Sequence, residues 1–318
     1  MDITVIGCGR WGSCIGWHLD RIGHNVTLYE PAHSAHLIEF IETRTNGMIV
    51  LPESIRLSSS LAELSKAEVI IISIDSQGLA GLMEELEPYD LWDKPFVLCM
   101  KGIEIETGRR LSQVASEATG KPENVAVWIG PGHVQEFYRG VPNCMVIDSV
   151  SDSLKRWLVE EFSSDLIRFY YGSDLIGNEI GAASKNVIGI AAGMLDGLDL
   201  ASLKGALMSR GTREISRLIE AMGGNPLSAY GLCHLGDYEA TVFSHHSNNR
   251  QFGESWVKGE SFTALAEGYY TTKAMMLLSE KYGVELPICT TIYNILYNKQ
   301  DVREQIDLLF SRSIKQEF

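Results

Sequence analysis

Short apolar runs alternate with helical repeats along the first half of the chain. The runs are four to seven residues long, and most of them end at a polar or glycine-rich turn. Continuous apolar runs of this length are typical of strands that are buried on both faces of a parallel sheet. The sequence therefore predicts a doubly wound α/β region with strands at 3–6, 25–29, 68–74, 96–100, 125–129 and 166–170.

Beyond residue 172 the apolar spacing is helical almost to the end of the chain. We therefore expect two domains, an α/β domain at 1–172 and a mostly α-helical domain at 173–318. The first helix of the second domain, predicted at 177–193, is rich in Gly, Ala and Ile, and its apolar residues recur at three- and four-residue spacing. This pattern predicts a helix that is buried on most of its circumference.

Lys185 interrupts the apolar half of that helix with a charge. Burial of an ammonium group without a partner is costly, so the lysine must reach a carboxylate or a polar cavity. Desolvation there would lower its pKa toward the range in which a lysine transfers protons near neutral pH. Two interpretations stay open at this point: a catalytic lysine, and a core lysine whose amine extends to solvent.

A glycine-rich turn directly follows the first predicted strand. Gly7, Gly9 and Gly12 form the pattern G-x-G-x-x-G between that strand and a predicted helix. In this context the first glycine makes the tight turn, the second lets the backbone approach a pyrophosphate, and the third lets the helix pack on the strand. Glu30, at the end of the second strand, lies where a carboxylate binds the adenosine ribose and repels a 2′-phosphate. The sequence therefore predicts a Rossmann-type domain that binds NAD in preference to NADP.

Composition and charge limit the classes of partner. Hydrophobic residues make up 45% of the 318 residues, charged residues make up 21%, and the net charge is −14. This net charge argues against nucleic acids and anionic membranes as partners, because both require a basic face, and no apolar run approaches transmembrane length. The six cysteines include no C-x-x-C pair, which favours reduced core thiols over disulfides or a metal site. Because reduced thiols are typical of a reducing compartment, we expect a cytoplasmic protein, and the first residues show no basic region followed by an apolar signal core.

Polar residues in both predicted domains are candidates for a ligand site. Lys101 comes directly after the fourth predicted strand, and the turn at 130–136 follows the fifth. Doubly wound sheets bind ligands at these carboxyl ends of the strands. In the helical domain, Asp237 offers a carboxylate beside a glycine, and a polar run follows at 247–253. We expect Lys185 to face the strand ends across a cleft.

These motifs resemble those of the NAD(P)-dependent sn-glycerol-3-phosphate dehydrogenases, which interconvert glycerol 3-phosphate and dihydroxyacetone phosphate. The resemblance covers nearly the whole chain. It implies hydride transfer between a secondary alcohol carbon and nicotinamide, and a homodimer acting on a small phosphorylated molecule. The matching motifs, in chain order, are the glycine-rich turn, Lys101-Gly102-Ile103-Glu104, Gly130-Pro131, Lys185-Asn186-Val187, Arg210-Gly211, Leu235-Gly236-Asp237, Ala266-Glu267-Gly268, Leu286-Pro287-Ile288 and Leu296-Tyr297.

The resemblance also implies roles for individual residues. Lys185 is implied as the proton donor and acceptor, Lys101 as the contact to the reacting oxygen and the cofactor, and Asp237 as the residue that fixes the geometry. The expected substrate-binding residues are Lys101, Gly130, Gly132, Thr241, Ser247, Asn248, Asn249 and Arg250. The expected cofactor-binding residues are Gly7, Gly9, Arg10, Trp11, Gly12, Glu30, Lys101, Val134 and Glu267, and no metal is expected.

Two departures from the family pattern lie in the predicted site. Asn248 stands where family members usually have the arginine of a phosphate-binding Ser-Arg-Asn loop, and an amide cannot make the bidentate grip of a guanidinium. Arg250 is then the nearest cation in sequence. His133 follows Gly132 where the family tends to have a small polar residue followed by an aromatic one. A general acid and a phosphate contact are alternative roles for it, but we expect His133 to shape the pocket.

Two alternatives to the family activity stay open. The first is a paralogous dehydrogenase that acts on another phosphorylated or polar secondary alcohol in a specialised biosynthetic pathway. The second is a protein that senses NAD without turnover. The joint presence of Lys101, Lys185 and Asp237 disfavours the second, because a sensor does not need a proton-transfer set.

Overall fold

The computed structural model of the chain describes residues 1–313 and residue 316, which form two compact units. The first unit comprises Met1–Lys101 and Arg109–Glu179, and the second comprises Gly102–Gly108 and the chain from Ile180 onward. These units differ in two ways from the expected ranges, 1–172 and 173–318. The segment Gly102–Gly108 belongs to the helical unit, and the change of unit falls at Glu179, inside a helix, rather than at residue 172.

The first unit contains one eight-stranded sheet with the strand order β3-β2-β1-β4-β5-β6-β7-β8. Neighbouring strands are parallel except β6 and β7, which are antiparallel. β4, β5 and β6 are buried at every position, as expected for strands that are covered on both faces. The strands are β1 (Asp2–Ile6), β2 (Asn25–Tyr29), β3 (Arg56–Ser58), β4 (Val69–Ile72), β5 (Phe96–Leu98), β6 (Val125–Ile129), β7 (Asn143–Ser149) and β8 (Ile167–Tyr171).

Two of these strands, β3 and β7, lie outside the runs predicted from sequence. β3 is a three-residue edge strand with an exposed arginine, so it has no apolar run. β7 is buried over its last five residues, but polar residues flank its short apolar stretch. It pairs antiparallel with β6 through a register that places Trp128 opposite Ile147. This long-range pairing, rather than a local pattern, makes the segment a strand.

Six α-helices of the first unit pack around its sheet. Trp128 of β6 is fully buried, and its ring lies 4.9 Å from that of Phe169 and 5.6 Å from that of Phe162, between ring centroids. These large rings fill the core beside β6 and β8. The helices are α1 (Arg10–Arg21), α2 (Ala35–Thr43), α3 (Leu79–Leu86), α4 (Leu111–Thr119), α5 (Val134–Tyr138) and α6 (Asp152–Phe162).

The second unit is built from helices around the long helix α7. Every residue of α7 from Ile180 to Leu195 is buried, which confirms the prediction of a helix packed on most of its circumference. None of the helices in the described residues has the length and apolarity that a membrane span requires. The helices are α7 (Leu175–Gly197), α8 (Lys204–Ala221), α9 (Asn248–Lys258), α10 (Glu267–Tyr282), α11 (Pro287–Leu296) and α12 (Val302–Phe310).

Glycines let α9 cross α7 at backbone contact. A Cβ atom at Gly193 would lie 1.8 Å from the carbonyl oxygen of Arg250, and one at Gly253 would lie 2.1 Å from that of Ile190. Neither position can hold a larger residue without moving a helix, because interiors are close-packed. The start of α9 is therefore fixed against the helix that carries Lys185.

Candidate active site

The three glycines in the turn between β1 and α1 have different constraints. Gly7 has a φ of +109°, and a Cβ atom there would lie 2.2 Å from the carbonyl oxygen of Ser73. A Cβ atom at Gly12 would lie 2.0 Å from the carbonyl oxygen of Gly7. A Cβ atom at Gly9 would meet nothing nearer than Cε1 of His36, at 4.0 Å. The packing of the protein therefore requires Gly7 and Gly12, whereas Gly9 leaves open space in which a pyrophosphate can approach the backbone.

Helix α1 begins at this turn without a side-chain cap. Gly9 is the N-cap residue, Arg10 and Trp11 are the first two helical residues, and no acidic residue stands in the first turn. The uncapped N–H groups and the helix dipole favour an anion at this end. The buried Nε1 of Trp11 has no hydrogen-bond partner among the described residues. The residues of the turn therefore fit the phosphates of a dinucleotide.

Glu30 directly follows β2 and contacts the glycine-rich turn. Its Oε1 accepts a hydrogen bond from the N–H of Cys8 at 2.6 Å, and its Oε2 accepts one from the hydroxyl of Ser34. Nδ1 of His36 lies 3.4 Å from Oε1, and 14% of the Glu30 side chain is exposed. These contacts fix the carboxylate beside the turn, where the adenosine ribose of a dinucleotide would lie.

Lys101 follows β5 and reaches the end of β6. Its Nζ donates a hydrogen bond to the carbonyl oxygen of Gly130 at 2.6 Å. Gly130 and Gly132 have φ values of +132° and +155°, and a Cβ atom at Gly132 would lie 2.3 Å from an aromatic ring atom. His133 and the buried Val134 follow at the start of α5. The turn thus holds an ammonium group at the carboxyl ends of two neighbouring strands.

Lys185 is the centre of a buried polar cluster in the helical unit. Its Nζ lies 3.0 Å from Oδ2 of Asp237 and donates a hydrogen bond to Oγ1 of Thr241 at 2.7 Å. The exposed fraction is 7% for Lys185 and 1% for each of the other two residues. A buried ammonium group needs such a partner, because an isolated charge is costly in the interior. The lysine therefore reaches a carboxylate instead of extending to solvent.

The partners of Lys185 lie on two tight turns. Asp237 ends a short 3₁₀ turn, and Thr241 lies in a π-helical turn at Glu239–Phe243. The hydroxyl of Thr241 donates to the carbonyl oxygen of Asp237 at 2.8 Å, so its lone pairs are directed to Lys185. A Cβ atom at Gly189 of α7 would lie 2.7 Å from Cγ2 of Thr241, so this glycine permits the close approach. π-Helical turns are rare and occur frequently at functional sites.

Two residues of the predicted substrate loop define the start of α9. Ser247 is the N-cap residue, and its hydroxyl accepts a hydrogen bond from the N–H of Arg250 at 3.3 Å. Asn248 is the first helical residue, and its Nδ2 donates to the carbonyl oxygen of Leu265 at 3.0 Å. The loop therefore presents an uncharged amide at the N-terminal end of the helix.

Asn249 joins the loop to two other helices of the unit. Its Nδ2 donates to Oδ1 of Asn186 at 3.0 Å, and its Oδ1 accepts from the N–H of Gly268 at 2.8 Å. Glu267, the predicted cofactor contact, is the first residue of α10 and directly precedes that glycine. Asn186 was absent from the predicted site residues, although it lies directly after Lys185 in one of the motifs that match the family.

Arg250 is held by carboxylates of its own unit. Its Nε lies 2.6 Å from Oδ2 of Asp196, and its guanidinium also lies 3.4 Å from Glu254. Lys204 contacts the same Asp196 oxygen at 2.7 Å, and only 8% of Arg250 is exposed. Two of the three guanidinium nitrogens therefore face carboxylates, and the third, Nη1, lies 3.5 Å from Nδ1 of His245.

Burial keeps two groups beside the cluster neutral. His234, three residues before Asp237, is fully buried, and desolvation lowers the pKa of its imidazole to about 4. Burial also raises the pKa of the Tyr238 hydroxyl above its usual value. Neither residue was predicted as part of the site.

The predicted site residues are divided between the two units. Most of the predicted cofactor-binding residues lie in the first unit, and the Lys185 cluster and the predicted substrate loop lie in the second. Within the described residues no three His, Cys, Asp or Glu side chains converge in a way that could hold a metal ion. The first unit carries Gly7, Gly9, Arg10, Trp11, Gly12, Glu30, Lys101, Gly130, Gly132 and Val134, and the second carries Lys185, Asp237, Thr241, Ser247, Asn248, Asn249, Arg250 and Glu267.

Two family models together match almost the whole chain. Residues 2–155 match the model for the N-terminus of NAD-dependent glycerol-3-phosphate dehydrogenase. Residues 174–307 match the model for the C-terminus of the same family.

Curated relatives match the chain over its full length. The chain is 35% identical to the glycerol-3-phosphate dehydrogenase, NAD(P)+, of Chlorobium limicola, over 100% of this chain and 99% of the relative. It is 36% identical to the enzyme of the same name from Prosthecochloris aestuarii, over 100% of both chains. A crystal structure of glycerol-3-phosphate dehydrogenase from Coxiella burnetii superposes with a TM-score of 0.91 at 27% identity, covering 98% of this chain and 99% of that one.

Proposed function

Because the chain belongs to the NAD-dependent glycerol-3-phosphate dehydrogenase family, we propose that it interconverts sn-glycerol 3-phosphate and dihydroxyacetone phosphate. The observation that carries the proposal is the buried cluster of Lys185, Asp237 and Thr241 in a chain with the glycine-rich turn of a dinucleotide site. Such a cluster supports turnover, since binding alone does not require a proton-transfer group.

Lys185 moves the proton at Nζ. During oxidation the neutral amine takes the proton of the alcohol, and during reduction the ammonium returns a proton to the carbonyl oxygen. The carboxylate of Asp237, 3.0 Å away, stabilises the ammonium form, and Oγ1 of Thr241 fixes the direction of Nζ. The bound nicotinamide cofactor supplies the hydride chemistry.

We assign Lys101 to the reacting oxygen of the substrate and to the cofactor. Its contact with the carbonyl of Gly130 holds the ammonium at the strand ends. A cation beside the reacting oxygen stabilises the negative charge that develops there. The backbone at Gly130 and Gly132 lies in the same turn and is assigned to the substrate with it.

The phosphate of the substrate is assigned to the start of α9. Ser247, Asn248 and Asn249 supply polar groups there, and the helix dipole favours an anion. Thr241 lies between this loop and Lys185 in the sequence and is assigned to the substrate as well. The ion pair of Arg250 with Asp196 leads us to assign that arginine to holding the loop rather than to gripping the phosphate directly.

The cofactor is assigned to the glycine-rich turn, with Arg10, Trp11, Val134 and Glu267 against it. Glu30 favours NAD over NADP, because its carboxylate is fixed beside the turn and would repel a 2′-phosphate.

We further propose that the protein acts as a homodimer in the cytoplasm. The helical unit carries an apolar groove of about 860 Å³, lined in part by Leu207, Ile288, Ile292 and Leu309, which a second copy would cover. The six free cysteines suit a reducing compartment. Sedimentation equilibrium should give twice the mass of the 35.3 kDa chain, and a monomer at micromolar concentration would contradict the dimer.

The test of the function is oxidation of NADH by the purified protein in the presence of dihydroxyacetone phosphate. We expect a kcat/KM within the ordinary enzyme range, on the order of 10⁴ M⁻¹s⁻¹ or above. Dihydroxyacetone without the phosphate is the matched control and should react far more slowly. Negligible turnover of the phosphate, with turnover of a different ketone, would replace the family substrate by that of a paralogue.

A further inference from the structure

A buried hydrogen-bonded chain through His234 connects the two elements that carry Lys185 and Asp237. Nδ1 of His234 lies 2.9 Å from the carbonyl oxygen of Gly181 in α7, and Nε2 lies 2.7 Å from the hydroxyl of Tyr238. Both His234 and Tyr238 are fully buried, and their rings pack edge to face with centroids 4.9 Å apart. The connection lies entirely within the helical unit.

The hydrogen-bond partners determine the tautomer of His234. The carbonyl oxygen of Gly181 can only accept, so Nδ1 carries the proton of the neutral imidazole. Nε2 then has a lone pair and accepts the hydrogen bond from the Tyr238 hydroxyl. A neutral ring in this tautomer satisfies both contacts, whereas a protonated ring would present a second donor to Tyr238.

The two ends of this connection are close in sequence to the catalytic pair. In an α-helix the carbonyl of Gly181 is also the acceptor for the backbone N–H of Lys185, one turn later. A Cβ atom at Gly181 would lie 3.1 Å from Cβ of His234, so the glycine lets the ring approach α7 closely. At the other end, Tyr238 directly follows Asp237. The ring therefore spans the gap between the turn of Lys185 and the turn of Asp237.

We propose that His234 is a positioning residue that sets the geometry of the Lys185–Asp237 pair. It acts through Gly181 and Tyr238 rather than by contact with the substrate. The inference rests on the proposed role of Lys185 as the proton donor and acceptor. Lys185 on α7 and Asp237 are the charged groups that interact electrostatically with the ring. Glu214 and Cys289 interact electrostatically with the Tyr238 hydroxyl, which also accepts a hydrogen bond from the Thr212 hydroxyl at 3.5 Å.

Two substitutions loosen the connection without removing a catalytic group. His234→Asn retains a donor near the position of Nδ1 and loses the acceptor for Tyr238. Tyr238→Phe is the milder change, since it removes only the hydroxyl. We expect each to lower kcat roughly ten- to a hundred-fold, because a displacement of about 1 Å at a catalytic group costs about that much. The limb of the kcat–pH profile that reports Lys185 should move by roughly half a unit, with the Kd for NADH within about twofold of wild type.

His18→Asn is the matched control for the loss of a buried histidine. His18 is 1% exposed, lies in the first unit, and its Nε2 is 3.0 Å from the carbonyl oxygen of Phe162. This variant should lower Tm while keeping the wild-type pH profile. If His234→Asn does not fold, Tyr238→Phe decides the question.

NMR titration of the Lys185 side-chain amine in the ligand-free protein, assigned with Lys185→Arg, gives a readout that does not depend on turnover. A changed titration in His234→Asn and Tyr238→Phe, but not in His18→Asn, supports the inference. Titrations and profiles that coincide with those of His18→Asn overturn it. Absence of wild-type turnover with dihydroxyacetone phosphate contradicts the proposed function alone, since the titration still reports on the pair.

Discussion

The two units carry their functional residues in opposite ways. In the first unit, the proposed cofactor site is a glycine-rich stretch of six consecutive residues that offers backbone groups, and Glu30 contacts this stretch from the end of the next strand. In the second unit, Lys185 and Thr241 are 56 residues apart and meet only because a π-helical turn packs on α7. The first arrangement is local and depends on backbone geometry. The second is assembled by tertiary packing and depends on side chains.

This difference predicts how substitutions separate. Changes at the glycine-rich turn and at Glu30 should alter the affinity for the cofactor, whereas changes at Lys185 and in the loop 247–249 should alter kcat or the KM for the substrate. A variant in the first set that changed kcat alone, or one in the second set that changed only the affinity for the cofactor, would contradict this division.

The largest effect is expected for Lys185→Ala. Loss of a general acid–base group lowers kcat by about a hundred- to ten-thousand-fold, and the Kd for NAD should stay within a few-fold. Steady-state kinetics and cofactor titration measure both. Lys204→Ala is the matched control, because Lys204 is equally buried and paired with an aspartate; it should lose stability but keep most of kcat. A Lys185→Ala enzyme that kept most of its kcat would reduce Lys185 to a core lysine.

The next effect concerns the charge of the substrate loop. Asn248→Arg places a guanidinium at the start of α9, and a charge-assisted contact is worth roughly 1.5–3 kcal/mol. The KM for dihydroxyacetone phosphate should therefore fall about ten- to a hundred-fold. Asn248→Gln, which adds length without charge, should leave KM nearly unchanged. If Asn248→Arg instead creates activity that the wild type lacks, the natural substrate is not the family substrate.

Arg250→Ala tests whether the other cation of this loop binds the phosphate. The change removes one partner of the partly buried Asp196 carboxylate, so Tm should fall while KM changes by less than about threefold. A rise in KM of ten-fold or more at unchanged Tm would show that Arg250 binds the phosphate directly.

The prediction for the first unit concerns Glu30→Ala. Removal of the carboxylate should reduce the preference for NAD over NADP by roughly tenfold, which corresponds to about 1.4 kcal/mol. Glu68→Ala is the control, since Glu68 also accepts a backbone hydrogen bond in this unit, from Asp2 at 2.7 Å. Dissociation constants for NAD and NADP test the prediction. Equal affinities of the wild-type protein for the two cofactors would contradict the role assigned to Glu30.

The same contrast explains how much could be predicted from the sequence. The glycine-rich turn and the buried helix around Lys185 leave local patterns, so both were predictable. β7 was missed because pairing with β6 makes it a strand. The contact of His234 with Gly181 spans 53 residues, and that of Arg250 with Asp196 spans 54. Hydrogen bonds between residues so far apart leave no periodic signal in the sequence.

The crossing of α7 and α9 limits how this enzyme can acquire a new specificity. The two helices are in backbone contact at Gly193 and Gly253, so the start of α9 has no room to shift. A Cβ atom added at either glycine would lie about 2 Å from a backbone oxygen of the other helix. Insertions and deletions in the loop would have to break that contact, whereas exchanges of single side chains would not. Adaptation to a new substrate is therefore expected to proceed by point substitutions at 247–249. Asn248, which stands where the family usually has arginine, is one such substitution.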